Sequence, residues 1–486
     1  MSINNALSNA YSGLSATGRL AEVAANNIAN ALNDDYNRKE VQLSAAITDG
    51  RGAGVEVSGI RRAVNNNLVR DLRLAEGELA YAAVKEGVAG EIATAIGGPE
   101  DPASLFALYQ DFETALETAA DTPENQAAQR NVVQTAGAIT TKFNDLSAQA
   151  ALLRTDADAQ IARDVQRLNS HLSEIESLNR EIELATVSGR DTSALLDQRQ
   201  KLLDEVSQII PIKEVQSDNG KVNILTESGV FLLDRKAKEV QFTAAGQITQ
   251  GETYAGGQLS GLFVGDSEIT PGSGFLGVSG GSIGALFEVR DEIGVAFAEE
   301  IDGLARGLIE RFQSPTADAT LAVGDAGLFT DAGVAFDPLN EEGLASRLSV
   351  NAAVDPDQGG EARRVRDGIN SVAAGPAGSD SILRTQLQAF RDPATAPTST
   401  GIFGDFTALD TISSYTSVKA TESLDAGNQS VAVGARVQSL FEAERTFSGV
   451  DTDFETAQLI LIEQAYGANA KVIEVIDSLI QRLLEI

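Results

Sequence analysis

The residues best placed to do chemistry lie in one glycine-rich stretch. Gly272-Ser273-Gly274-Phe275-Leu276-Gly277 has the G-x-G-x-x-G spacing that can cradle a pyrophosphate. That task needs a strand before the motif and a helix opening at it. Thr270-Pro271 precedes it here, so the stretch reads as a flexible loop. Gly277-Val278-Ser279-Gly280-Gly281 has the G-x-S-x-G spacing of a nucleophile elbow. An elbow serine needs its histidine later in the chain. The single histidine, His171, comes earlier, so the order is wrong. Ser279 or Ser282 is instead expected to cap a helix starting near 283. His171 sits beside Leu168, Leu172 and Ile175, on the rim of an apolar helical seam. Asp355-Pro356-Asp357-Gln358-Gly359-Gly360 hints at a calcium loop, but the twelfth position, which should be Glu, is Arg366. A solvated acidic turn is the better reading. No phosphate-binding G-x-x-x-x-G-K-[ST] occurs, and no nucleophile, base and oxyanion site assemble from these residues.

Composition narrows the classes further. Among 486 residues there is no Cys and one His, which removes disulfides, thiol chemistry and multi-His metal centres. No catalytic, cofactor-binding or metal-ligating residue is therefore expected. Lys and Arg total 37 against 70 Asp and Glu, a formal charge of −33. So acidic a chain suits neither nucleic acid nor an anionic membrane surface. Little of that charge falls in residues 1–60. No run of about 18 apolar residues spans a membrane, and the first residues lack the charged and apolar regions of a cleaved secretory signal. At roughly 100–200 residues per domain, two to four domains are expected.

The ends of the chain resemble each other in kind. Leu7, Tyr11, Leu14, Gly18, Ala21, Ala25, Ile28 and Leu32 recur at steps of four and three, as do Leu459, Ile462, Tyr466, Asn469, Ile473, Ile476, Ile480 and Leu483. These are heptad-type stripes, the first built largely from small residues. A helix with one apolar seam needs a partner, so the ends are expected to pack on each other or on neighbouring copies. Between them, helical spacing runs from Ile60 through Val64, Leu68 and Leu72 to Ala82, and breaks at Gly97-Gly98-Pro99. Short helical spacing follows at Leu105, Leu108, Phe112 and Leu116, then Pro123 is expected in the first turn of a very long helix reaching about 186. A further helix is expected at 193–207. Period-two runs then mark 208–279 as β, with a hairpin at Asp218-Asn219-Gly220. A helix returns over Leu286 to Phe312, 314–405 reads as irregular or β, and helix resumes near 408 with a break at Ser448-Gly449.

The terminal segments carry a resemblance. Ala25-Asn26-Asn27-Ile28-Ala29-Asn30, followed by Tyr36 and Arg38, is similar to the N-terminal signature of bacterial flagellar rod, hook and hook-associated proteins. Val55 to Arg62 resembles the segment that follows it. Gln464-Ala465-Tyr466, Ala468-Asn469-Ala470-Lys471-Val472-Ile473 and the closing stretch to Ile486 resemble that family's C-terminal signature. Leu195-Leu196-Asp197-Gln198-Arg199, Leu202 to Ser207, and Gly281-Ser282-Ile283-Gly284-Ala285-Leu286 look like the hook-associated branch, as does the helical stretch at 60–207.

The resemblance implies a fold that is mainly α with inserted β, in the nested architecture of axial proteins. Residues 1–60 with 440–486 would form a terminal helical coiled-coil domain, the inner tube. Residues 61–207 with 280–313 and 406–439 would form a long-helix bundle, and 208–279 with 314–405 a β-rich outer domain. It implies a structural subunit of the hook–filament junction, without enzyme activity or cofactor. Export would run through the flagellar type III apparatus, without signal cleavage, to an extracellular site at the distal end of the hook. The implied partners are further copies of itself, the hook protein, the next hook-associated or filament protein, and an export chaperone at the C-terminal helix, with no nucleic acid or membrane. The residues expected to make subunit contacts are Leu7, Leu14, Ala25, Asn26, Asn27, Ile28, Leu459, Ile462, Tyr466, Ile473, Ile476, Ile480 and Leu483. Two alternatives stand beside this reading. A rod or hook protein would show β rather than helix at 100–207. An acidic secreted enzyme would use the glycine-rich region 265–284.

Overall fold

The computed structural model describes residues 3–48, 51–274 and 276–484. Twelve α-helices carry the fold among the described residues: α1 (Ile3–Ala29), α2 (Asn66–Ile96), α3 (Leu105–Asp121), α4 (Gln126–Val187), α5 (Ser193–Ile209), α6 (Gly281–Glu288), α7 (Gly294–Phe312), α8 (Leu344–Arg347), α9 (Arg364–Asp367), α10 (Ser381–Arg391), α11 (Ala408–Ser448) and α12 (Thr452–Leu484). The strands pair locally, and all but the first two are short: β1 (Lys39–Thr48), β2 (Arg51–Arg62), β3 (Ile212–Gln216), β4 (Val222–Thr226), β5 (Phe231–Leu233), β6 (Val240–Gln241), β7 (Leu262–Val264), β8 (Ser267–Pro271), β9 (Gly277–Val278), β10 (Phe329–Asp331), β11 (Leu348–Val350), β12 (Ala394–Thr395) and β13 (Asp405–Phe406). The chain is mainly α with inserted β.

It divides into two compact units. One comprises Met1–Ala80, Gln166–Val240 and Ala432–Ile486. The other comprises Tyr81–Val165 and Gln241–Val431.

In the first unit, α1 packs on α12 and on the β1–β2 hairpin. The hairpin corrects the expectation that 1–60 is helical and that Ile60 and Val64 begin a helix. Ile60 pairs with Val41 across the ladder, and α2 starts only at Asn66. Two register shifts, at Gln42/Leu43 and Ala45/Ile47, bend the hairpin, and Gly54 takes φ +104°. β-branched residues at Val41, Val55, Val57 and Ile60 suit this pleated surface, while helical spacing could be read through them only by coincidence. Further along, β3, β4 and β5 form an antiparallel sheet of order β3-β4-β5. Its first turn holds Asn219 at φ 58° and Gly220 at φ 80°, the left-handed conformation that Asn-Gly favours. The sheet buries Val222, Ile224, Leu232 and Leu233, and the adjoining helices bury Leu168, Leu172, Ile175, Leu202 and Val206.

α4 is 62 residues long, about 90 Å at ~1.5 Å per residue. Pro123 is not in its first turn. Asn125 caps the helix instead, its Oδ1 accepting from Ala127 N at 2.9 Å, and Pro123 O accepts from Gln129 Nε2 at 2.7 Å. The asparagine side chain reaches the free amides that proline cannot.

The second unit holds an aromatic cluster. Phe112 of α3 meets Phe312 of α7, Phe329 of β10 and Phe390 of α10 with ring centroids 5.6–5.7 Å apart. The segment 314–405 is thus not irregular or β throughout. It contains the amphipathic α10, which buries Leu383, Gln386, Leu387 and Phe390, and its apolar residues share the core of α3, α4 and α7. The helix expected over 286–312 is interrupted by a π-turn at Val289–Ile293. Two buried arginines hold this turn. Arg154 Nε donates to Arg290 O at 2.7 Å and its Nη1 to Thr249 O and Gln250 O, both at 3.0 Å. Arg290 Nη1 reaches Asp158 Oδ1 at 2.8 Å, and its guanidinium lies over the Phe287 ring.

Candidate assembly site

The glycine-rich motifs resolve into structure. Contrary to the sequence reading, a strand does precede Gly272: β8 ends at Pro271 and pairs antiparallel with β7 and parallel with β9. The final glycine, Gly277, lies in β9 rather than at a helix start, so no phosphate cradle forms. Backbone of Gly272 and Gly274 crowds the place a Gly277 Cβ would take. Phe275 of this motif lies outside the described residues. Neither Ser279 nor Ser282 caps α6. Gly280 occupies that position with extended backbone, and Ser282 donates to Asp164 Oδ2 from within the first turn. His171 Nδ1 lies 3.6 Å from Glu205 Oε2. Asp355 caps a single 3-10 turn, accepting from Asp357 N at 3.0 Å, and Arg366 pairs with Asp367. Among the described residues no group of His, Asp or Glu is arranged to hold a metal ion.

The other candidate site is where the terminal helices meet. Gly13 of α1 faces Asn469 of α12 so closely that a Cβ would fall 2.7 Å from Asn469 Oδ1. Fourteen residues further on, Asn27 faces Glu455, fourteen residues back on α12. The two helices are therefore antiparallel. Ala10, Ala16, Thr17, Val23 and Ala24 are buried on α1, and Ile462 and Ile476 on α12.

Asn27 is the centre of this contact. It is 1% exposed. Its Nδ2 donates to Glu455 Oε1 at 2.9 Å and to Lys39 O at 3.0 Å. Its Oδ1 accepts from Tyr36 OH at 2.8 Å and Lys39 N at 3.0 Å. A primary amide offers two donors and a two-lone-pair acceptor, so Asn27 is fully satisfied. Asp or Gln could not reproduce the set. Burial, then the Asp197 and Glu455 charges, pushes the Tyr36 phenol far above its ordinary range, so it stays a donor. Burial also raises the Glu455 carboxyl, with Asn27 and Arg38 opposing.

A second buried cluster adjoins it. Lys39 Nζ lies 4.7 Å from the Tyr36 ring centroid and 3.8 Å from Asp197 Oδ2. Asp197 Oδ1 accepts from Asn37 Nδ2 at 2.9 Å and pairs with Arg62 Nε at 2.7 Å. Arg199 Nη1 donates to Asn179 Oδ1 at 2.9 Å and Gly220 O at 2.6 Å, tying α5 to α4 and the Asn-Gly turn. Burial, with Arg62 adding, lowers Arg199 to about 10. The Leu195–Arg199 run thus supplies one residue to the hairpin and another to the sheet. At the break between α11 and α12, Ser448 O accepts from Arg38 N at 2.7 Å, and Asp451 Oδ1 caps α12 by accepting from Asp453 N at 3.0 Å.

The structure separates the expected contact residues into three groups. Asn27, Ile462 and Ile476 are buried in the pair. Leu14, Ile28, Leu459 and Ile473 are half-buried. Leu7, Ala25, Asn26, Tyr466, Ile480 and Leu483 are exposed, together with Ile460, Leu461, Val472, Val475 and Leu479. Tyr36, Lys39, Arg62, Asp197 and Glu455 were absent from the expected set. They are polar and break the apolar stripes, so periodicity could not find them.

Comparison with known proteins adds to this geometry. Residues 93–328 match the family described as the flagellar hook-associated protein FlgK helical domain. Residues 446–486 match the flagellar basal body rod FlgEFG protein C-terminal family. Flagellar hook-associated protein 1 of Escherichia coli is 24% identical over 100% of both chains. That of Bacillus subtilis is 22% identical over 98% of this chain and 97% of its own. The chain belongs to the flagellar hook-associated protein 1 family. It is a structural subunit of the bacterial flagellum, of the kind found at the hook–filament junction. The helical interior at α3, α4 and α5 is the feature that separates this hook-associated family member from the β reading expected of a rod or hook protein. A solved structure titled as the flagellar hook junction protein FlgK from Burkholderia pseudomallei aligns at TM-score 0.44 and 18% identity, over 54% of this chain and 47% of that one.

Proposed function

We propose that the α1–α12 pair is the assembly element of this hook-associated protein, and that copies of the chain join through it into a tube between hook and filament. The observation that carries this reading is the apolar surface α12 leaves uncovered: Leu461, Tyr466, Val475, Leu479 and Leu483 are about half-exposed or more on a single helix. So much apolar area along one helix marks an interaction surface. Identical subunits joined by non-closing contacts build helical tubes. The terminal domain is 1–60 with 440–486, with the bundle and outer segments facing solvent and carrying most of the negative charge. The neighbours are the hook protein on one side and the next hook-associated or filament protein on the other. The chain travels unfolded through the flagellar export apparatus, keeps its N-terminus, is escorted by a chaperone at α12, and acts outside the cell with no catalytic task.

Removing residues 450–486 tests this. The remaining chain should stay folded by circular dichroism yet fail to enter flagella. Normal incorporation of the truncated chain would overturn the tube role of α12. In a deletion strain, electron microscopy should show bare hooks, with filament protein secreted but unpolymerised.

A further inference from the structure

We infer that the Asn27–Glu455 hydrogen bond fixes the register of α12 along α1, with Glu455 acting as a positioning residue. The apolar seam leaves that register open. On α12, Ile462, Asn469, Ile476 and Leu483 fall in one heptad column, with the Asn469 amide donating to Ala465 O of its own helix, and Leu459, Tyr466, Ile473 and Ile480 fall in another. A slide of seven residues lays each column onto itself. Three of the buried positions on α1, Ala10, Ala16 and Ala24, are too small to interlock, so the seam resists such a slide only weakly. A buried polar pair behaves differently. After a slide of one heptad toward the N-terminus of α1, Glu455 would lie against Leu20, and Asn27 would lose its carboxylate partner. Buried groups left without partners penalise every register but one, which is how a single buried asparagine specifies alignment in a coiled coil. The Glu455 carboxylate is well placed for this. It is 6% exposed and lies at the first turn of α12, where Asp451 caps the helix. Asn27 itself is held rigid by Tyr36 and Lys39, so the position offered to Glu455 is fixed before α12 docks.

The chain has no cysteine, so disulfide mapping in the full-length protein starts from a clean background. Gly13→Cys with Asn469→Cys reports the native register. Gly13→Cys with Ile462→Cys or Ile476→Cys reports a one-heptad slide either way. The native pair should cross-link at least about tenfold faster than either slipped pair, and Glu455→Gln, which keeps an acceptor for Asn27, should preserve that ratio. Glu455→Leu should bring the slipped pairs to within about twofold of the native pair, with helix content unchanged by circular dichroism. Should Glu455→Leu fail to fold, Glu455→Ala makes the same comparison with less bulk. A tenfold preference that survives in the folded Leu or Ala variant overturns the inference, as does its loss in Glu455→Gln.

Discussion

Asp197 and Arg62 meet at 2.7 Å in the interior of the first unit, the carboxylate on α5 and the guanidinium at the end of β2. Burial is the leading influence on both. It raises the carboxyl, against the opposing pull of Arg62, Asn37 and Lys39, and it lowers the guanidinium. The pair therefore matters less for its attraction than for what either member would cost alone. Asp197→Ala should destabilise the unit by ~3–5 kcal/mol, because Arg62 and Lys39 stay buried without a counter-charge. Asp197→Asn should cost less, since the amide oxygen can still accept. Urea midpoints at equal slope would measure both, and an Ala variant within about 0.5 kcal/mol of the parent would refute the role.

Stability should rise, not fall, as the medium is made mildly acidic. Burial raises the carboxyls of Asp204 and Glu455 in one unit and of Glu300 and Asp302 in the other. A folded-state pKa above the unfolded one means the folded chain holds the proton more tightly. The cost of keeping these groups charged is then fully present above the folded pKa. It is relieved as pH falls through that value toward the ordinary carboxylate range near ~4. The −33 net charge adds self-repulsion that also fades on acidification. Urea midpoints should therefore climb between pH 7 and about 5, and Glu300→Gln should flatten the slope by removing one titrating group.

Two glycines should respond in opposite directions to alanine. Gly54 has φ +104°, and a Cβ there would press on the Ser12 hydroxyl, which accepts from Val55 N at 3.2 Å. Gly54→Ala should cost ~1–3 kcal/mol through backbone strain and displacement of α1 from the hairpin. Gly18 is helical and exposed, and nothing lies within 4 Å of its would-be Cβ. Gly18→Ala should stabilise α1 by ~0.5–1 kcal/mol. Thermal melts of the two variants would separate them.

Phe390→Ala should destabilise the second unit by ~3–5 kcal/mol, the usual cost of emptying a buried aromatic site. Phe390 is 1% exposed and touches Tyr109, Phe112 and Phe312. If 314–405 folded apart from the helices, the loss would stay local. Limited proteolysis should instead show α3 and α7 becoming sensitive together with α10.

The helices of this protein were largely readable from spacing, and the polar network was not. α1, α3, α4, α5 and α12 follow their apolar stripes, and Ser448-Gly449 marks the last break because Gly449 leaves no room for a Cβ beside Arg445 O. The β1–β2 hairpin was missed because Ile60 and Val64 happened to continue a helical period into α2. α10 was missed because glycine, proline and aspartate dominate its surroundings. At the assembly site, the asparagine-rich signature located Asn27 without explaining it. Its partners Tyr36 and Lys39 lie just after it in one segment and Glu455 lies at the far end of the chain, and no local rule brings the two segments together.

The antiparallel pairing of α1 and α12 has a mechanical consequence. The Ile3 end of one helix lies beside the Leu484 end of the other, so a pull on the two ends opens the pair one contact at a time from that end. Force would be carried by a few small-residue contacts at any moment, and peeling should proceed at low load until it meets Asn27 and Glu455. In an optical trap, the terminal helices should therefore unzip as a separate early step, with its last resistance at that hydrogen bond.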